Sequence, residues 1–105
     1  MSPPAYRLLT RSEAEADVAE AVGWYEERER GLGREFLRAF RAGTAVLRRN
    51  PHLYQPIVGE TRRMLLRRFP YAVFYEVHGT DVVVLACLHT ARDPEVWHER
   101  ITGAE

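Results

Sequence analysis

The chain reads as an α+β domain, a helical hairpin laid against an antiparallel sheet, and three observations predict this. Between residues 12 and 49 apolar side chains recur at helical spacing, interrupted once by Gly31 and Gly33. From Arg62 to Pro94, β-prone runs alternate with turn signals at Phe69-Pro70 and His78-Gly79-Thr80-Asp81, the pattern of a meander. Asp93-Pro94 then supplies an N-cap and a first-turn proline for a short terminal helix. The expected order is β-α-α-β-β-β-α, one domain over residues 1–105 with a four-stranded sheet.

Taken in order, Met1–Pro4 reads as a loose end, and residues 5–10 alternate well enough for a short strand. Ser12 and Glu15 have the spacing of a capping box, which starts the first helix at Ser12. Ala14, Val18, Ala21, Val22 and Tyr25 form its apolar stripe. A second helix is expected from Gly33 to Arg49, burying Phe36, Leu37, Phe40, Thr44 and Leu47, and Asn50-Pro51 ends it. Residues 52–61 have no periodicity and are expected to be a loop. The first meander strand, 62–70, carries Arg62, Arg63, Arg67 and Arg68. The last, Val82–Leu88, is apolar throughout and therefore central. Both later strands are apolar on two sides, and one short helix is a thin cover for the face away from the hairpin. That face is expected to be a concave site or to be covered by another chain.

A net charge of zero conceals a strong asymmetry. Residues 36–75 hold eight arginines against one acid, while the segments on either side are acidic. All fifteen basic residues are arginine, whose planar fork suits phosphates or a partner's carboxylates. The lone Cys87 excludes an intrachain disulfide and fits a reducing cytoplasm. No export signal, membrane span, glycine-rich phosphate loop or metal-ligand spacing is found, so no cofactor and no membrane partner is expected.

Several short stretches, in this order and spacing, resemble the ParE/RelE superfamily of bacterial type II toxins, and in particular its ParE-like plasmid stabilisation branch. They are Ala14-Glu15-Ala16-Asp17-Val18, Trp24-Tyr25-Glu26, Gly33 with Phe36-Leu37, and Asn50-Pro51. Then come Arg62-Arg63, Phe69-Pro70-Tyr71 with Phe74-Tyr75, and Leu88-His89-Thr90-Ala91-Arg92-Asp93-Pro94 leading to Trp97. The resemblance implies a cytoplasmic toxin neutralised by an antitoxin encoded beside it, and an N-terminal strand lying beside the last one. Two activities occur in such a family. ParE-like members inhibit DNA gyrase, whereas RelE-like members cut messenger RNA on the ribosome without metal.

For the nuclease, the candidate catalytic groups are Arg63, Arg67, His89 and Arg92: guanidinium groups to hold the scissile phosphate, and an imidazole for proton transfer. Arg92 sits where RelE-like nucleases carry a functional arginine. For a binding protein, the candidate contacts are Arg62, Arg63, Arg67, Arg68, Arg92 and Trp97. Asp93 reads as a helix cap, and His89 reads equally well as a structural histidine. RelE-like nucleases carry a C-terminal tyrosine and several lysines; this chain has Trp97 and His98 there and no lysine. Those departures favour a toxin that acts by binding, with gyrase as the implied target. The alternatives are the ribosome-dependent ribonuclease and a non-toxic relative that only binds its antitoxin.

Overall fold

The computed structural model describes residues 6–103. The loose end expected at Met1–Pro4 and residue 5 of the expected first strand lie outside the described residues. The order is β1 (Arg7–Thr10), α1 (Ser12–Arg28), α2 (Leu32–Arg49), β2 (Pro56–Val58), β3 (Thr61–Leu65), β4 (Tyr71–His78), β5 (Asp81–His89) and α3 (Pro94–Thr102). The strands form one sheet in the order β1-β5-β4-β3-β2. β1 is parallel to β5 and all other pairs are antiparallel. As its unbroken apolar run requires, β5 is central, flanked by β1 and β4. No helix among the described residues is long and apolar enough to cross a membrane.

The expected α+β architecture gains a fifth strand. Residues 56–58, expected to be loop, pair with β3 at Thr61 and Arg62. Three residues opening on a proline give no alternation to read, and proline is tolerated there because the strand is at an edge. The first meander strand is also shorter than expected, ending at Leu65. Arg67 and Arg68 lie in the turn beyond it, and Arg68 takes a left-handed φ of 71°. A bulky residue adopts that conformation only under constraint. Here the constraints are the ion pair from Arg68 to Glu35 (2.7 Å) and burial of the next residue, Phe69.

The hairpin forms on the stripes that the spacing predicts. Ala14, Val18 and Ala21 of α1, and Phe36, Phe40, Thr44 and Leu47 of α2, are buried against the sheet. Aromatic rings bind the layers together: Phe36 lies 5.2 Å from Phe69 and 4.9 Å from Tyr71, with Tyr25 stacked at 5.5 Å. The capping box is not made. Arg11 is the N-cap of α1, and the Ser12 hydroxyl donates to Glu13 instead. The effective cap is at the next helix. Glu26 of α1 accepts from the backbone N–H groups of Gly31 (3.0 Å) and Gly33 (3.1 Å), satisfying orphan donors at the start of α2. These bonds hold its carboxyl below the usual range. Gly33 is required by proximity, since a Cβ there would stand 2.6 Å from the Val22 carbonyl oxygen.

The face away from the hairpin, expected to be open, is closed over its middle by α3. Asp93 caps this helix through Glu95 N (2.9 Å), as the Asp-Pro signal predicts. Trp97 stacks on Phe74 at 5.3 Å, and with Ile101 it covers Ala72, Phe74, Ala86 and Leu88, all buried. Away from this cover, Leu9 and Leu65 remain exposed.

One carboxylate joins these parts. β1 accompanies β5 only as far as Val84, so the next stretch of the β5 edge faces α1 instead of a strand. There Asp17 accepts from the Cys87 N–H (3.0 Å) and binds Arg100 of α3 through both oxygens (2.7 and 3.1 Å). Asp17 thus caps a sheet edge and anchors the terminal helix together.

Candidate functional sites

The arginines separate into structural and free groups once their partners are seen. Arg62 is half-buried and donates to the Tyr54 carbonyl, tying β3 to the loop before β2. Arg68 is committed to Glu35. Arg63 is exposed and pairs in register with Phe74, which puts it on the α3 side of the sheet. Arg67 is exposed and lies at a groove between α2 and β3. Arg92 is half-exposed, and among the described residues its side chain meets only Glu20, at 3.5 Å.

Two depressions hold most of the remaining candidates. The first, a cleft of about 270 Å³, is lined by Glu20, Trp24, Tyr71, His89 and Arg92. β5 delivers His89 to this end, and the following turn delivers Arg92. The His89 Nδ1 accepts from the Ala91 N–H (3.0 Å), which makes Nε2 the donor of the neutral ring. The Tyr71 ring packs edge-on to the imidazole at 5.2 Å, and burial raises the Tyr71 phenol above its ordinary value. Trp24 is about half exposed, with the Arg28 guanidinium 3.8 Å from its ring centroid. The cleft can accept a group carrying an acceptor and an apolar face; it holds only two of the four proposed nuclease residues.

The second is a groove of about 590 Å³ along the outer side of α2. Ala39, Ala42 and Val46 form one wall, Met64 and Leu66 the floor, and Leu53 and Leu65 the exposed rim. Arg49 and Arg67 also line it, and among the described residues no acidic residue does. Helix and strand meet closely: a Cβ at Gly43 would stand 2.6 Å from Met64 Cε.

The other candidates are structural. Trp97 packs α3 onto Phe74, Asp93 is a cap, and Cys87 is buried, its thiol pushed up to about 12 by desolvation. Among the described residues no group of three or more His, Cys, Asp or Glu could hold a metal ion. Sequence reasoning passed over Asp17, Arg100 and Glu26 as functional parts of the architecture. Asp17 and Glu26 stand in stretches that carry the resemblance, but their partners are distant in the chain.

A helical hairpin packed on a mixed sheet, with a short helix closing the opposite face, is an arrangement found in other proteins of known structure. Three solved structures share it. One is the chromosomal ParDE system from P. aeruginosa: TM-score 0.73, 16% identity, 81% of this chain and 96% of that one. Another is a mutant of the E. coli toxin RelE in the free state: TM-score 0.68, 17% identity, 97% and 100%. The third is the RelBE2 toxin–antitoxin complex from Mycobacterium tuberculosis: TM-score 0.61, 20% identity, 87% and 98%. At these identities the likeness is one of fold. No curated protein matches the chain. The family model described as the ParE toxin of the type II toxin-antitoxin system, parDE, matches residues 8–94, and the chain belongs to that family.

Proposed function

We propose that this toxin acts by binding its target, that the target is DNA gyrase, and that an antitoxin encoded beside it neutralises it. The observation that carries the choice of binding over catalysis is the dispersal of the four candidate nuclease groups. His89 and Arg92 line the cleft beside α1, Arg67 lines the groove beside α2, and Arg63 projects on the α3 side of the sheet. A metal-free cleavage of RNA needs an acid–base group and phosphate-stabilising cations around one scissile bond. The middle of the α3-side face is filled by Trp97 on Phe74. Arginines dispersed over several faces suit a broad contact with acidic groups of a partner.

On this reading Arg63, Arg67 and Arg92 contact partners, while Arg62, Arg68 and Trp97 hold the fold. Gyrase as the target rests on membership of the ParE family, since the fold itself hosts more than one activity. Inducing the chain alone in bacteria tests the proposal. The expected result is a DNA-damage response with double-strand breaks and filamentous cells. Codon-phased cuts in messenger RNA, with translation failing before replication, would replace it with the ribonuclease reading.

A further inference from the structure

We infer that the outer face of α2 is a binding surface for the phosphate backbone of duplex DNA, held without regard to base sequence. Five exposed arginines, Arg34, Arg38, Arg41, Arg48 and Arg49, share one stripe of this helix. At the pitch of an α-helix they fall within an arc of about 100° and run about 22 Å along the axis. The choice of DNA over duplex RNA rests on the reading of gyrase, an enzyme that acts on duplex DNA, as the target. The phosphate chemistry stands without that reading.

The fold makes little use of these charges. Among the described residues Arg34, Arg38, Arg41 and Arg49 make no ion pair and no side-chain hydrogen bond, and Arg48 reaches only the Tyr6 carbonyl, at 3.4 Å. Glu35 is committed to Arg68, and the Glu26 carboxylate near Arg34 is taken by the N–H groups of Gly31 and Gly33. Arg34 and Arg38 stand four residues apart and Arg38 and Arg41 three, spacings at which like charges repel on a helix surface. Arg34 also lies in the first turn, where the helix dipole opposes a cation. Arg48 and Arg49 alone, in the last turn, suit that dipole.

The hairpin is also electrically polarised. Helix α1 carries six acids against one arginine, and α2 five arginines against one acid. A chain of formal net charge zero therefore presents a basic helix beside an acidic one, which turns the α2 face toward a polyanion. The stripe lacks apolar anchors. None of the large apolar side chains exposed among the described residues lies on α2, and the one position inside the stripe that is not arginine is the small Ala45. A protein partner needs buried aromatic or aliphatic anchors, and single-stranded nucleic acid needs aromatic rings for its bases. A rigid rod of guanidinium groups with neither suits a duplex backbone, which offers charge at regular spacing.

Fluorescence anisotropy of the full chain with a labelled DNA duplex of about twenty base pairs, in the absence of gyrase, tests this. Two unrelated sequences should bind alike, and log affinity should fall linearly with log salt at a slope of about −4 for five phosphate contacts. Arg34→Ala, Arg38→Ala and Arg41→Ala should each flatten that slope by about 1, and the triple variant should bind about tenfold or more weaker at low salt. Arg38→Lys should keep the wild-type slope, since it keeps the charge. Arg28→Ala, on α1, should bind normally. Relief of like-charge repulsion should leave the triple variant melting no lower than wild type, and the single variants decide the question if it misfolds.

Absence of binding at low salt, or α2 variants that bind as wild type does with the same slope, would refute this face as a DNA-binding surface. Duplex RNA of the same length bound as tightly as DNA, or more tightly, would refute DNA as the ligand. Polyglutamate bound more tightly than DNA would assign the face to the carboxylates of a protein partner and overturn the inference. Because the assay contains no gyrase, each of these failures leaves the gyrase reading in place. That reading fails separately, if supercoiling proceeds unimpaired while the chain still binds DNA.

Discussion

Asp17 carries two separable loads, and substitutions can weigh them. Its carboxylate, 12% exposed, accepts the Cys87 amide at the β5 edge and binds the two terminal nitrogens of Arg100, which is 29% exposed. Those hydrogen bonds raise the Arg100 pKa above its ordinary value. Asp17→Ala removes both interactions. Leaving the Cys87 N–H unpaired inside the protein costs about 1–3 kcal/mol. Breaking a fully buried ion pair costs about 3–5 kcal/mol, but Arg100 can turn partly to water, which reduces this share to about 1–2 kcal/mol. The expected loss is therefore about 2–5 kcal/mol. Arg100→Ala leaves Asp17 bonded to Cys87 and should cost only about 1–2 kcal/mol, part of it lost packing. Asp17→Asn keeps an oxygen for Cys87 and should resemble Arg100→Ala.

Urea denaturation of the three variants and of the Asp17→Ala/Arg100→Ala double variant measures these values. In the double variant most of the Asp17→Ala cost should remain, with a coupling of about 1 kcal/mol between the sites. Equal losses in Asp17→Ala and Arg100→Ala would refute the separate role of the sheet-edge cap.

Three further outcomes follow from the packing. Gly33→Ala should destabilise the fold by about 1–2 kcal/mol, because the clash with the Val22 carbonyl outweighs a helix-propensity gain of about 1 kcal/mol; a rise in melting temperature would contradict the close approach. The Glu26 carboxyl is held below its ordinary value of 4.5, so its stabilising bonds are fully present above pH 4.5 and are lost as pH falls through the folded-state pKa. Glu26→Gln should accordingly melt below wild type at pH 7, and the gap should close toward pH 3; a constant gap would show that the carboxylate is not the source. The Cys87 thiol, raised by burial to about 12, should resist a disulfide reagent at pH 8 until the protein unfolds, whereas rapid labelling would place it at the surface.

The elements were legible wherever burial imposes a period. Ala14, Val18 and Ala21 mark one face of α1, and the two-sided apolar run of β5 requires a central strand; both stand where expected. Short or constrained backbone was not legible. β2 is three residues with a proline, and the end of β3 is set by the left-handed Arg68, whose cause is an ion pair 33 residues away in sequence. The closed α3 face was missed for a similar reason, since the cover comes from one ring, Trp97, whose placement depends on where α3 is anchored. The candidate site was legible as a set of arginines and a histidine. Its division was not, because Arg62 and Arg68 look like Arg63 and Arg67 until the Tyr54 carbonyl and Glu35 are in place. Residue type names a charge, and only tertiary partners decide whether that charge is free.

A supercoiling assay with purified gyrase tests binding against catalysis most directly. The chain should inhibit supercoiling, and His89→Ala should inhibit as well as wild type, because its imidazole is asked for no proton transfer. Arg63→Ala, Arg67→Ala and Arg92→Ala should each weaken inhibition and do so cumulatively, more at low salt than at high, because salt screens the contribution of surface charges. Unimpaired supercoiling in the presence of the chain, together with ribosome-dependent messenger cleavage abolished by Arg92→Ala alone, would contradict the account and identify a ribonuclease.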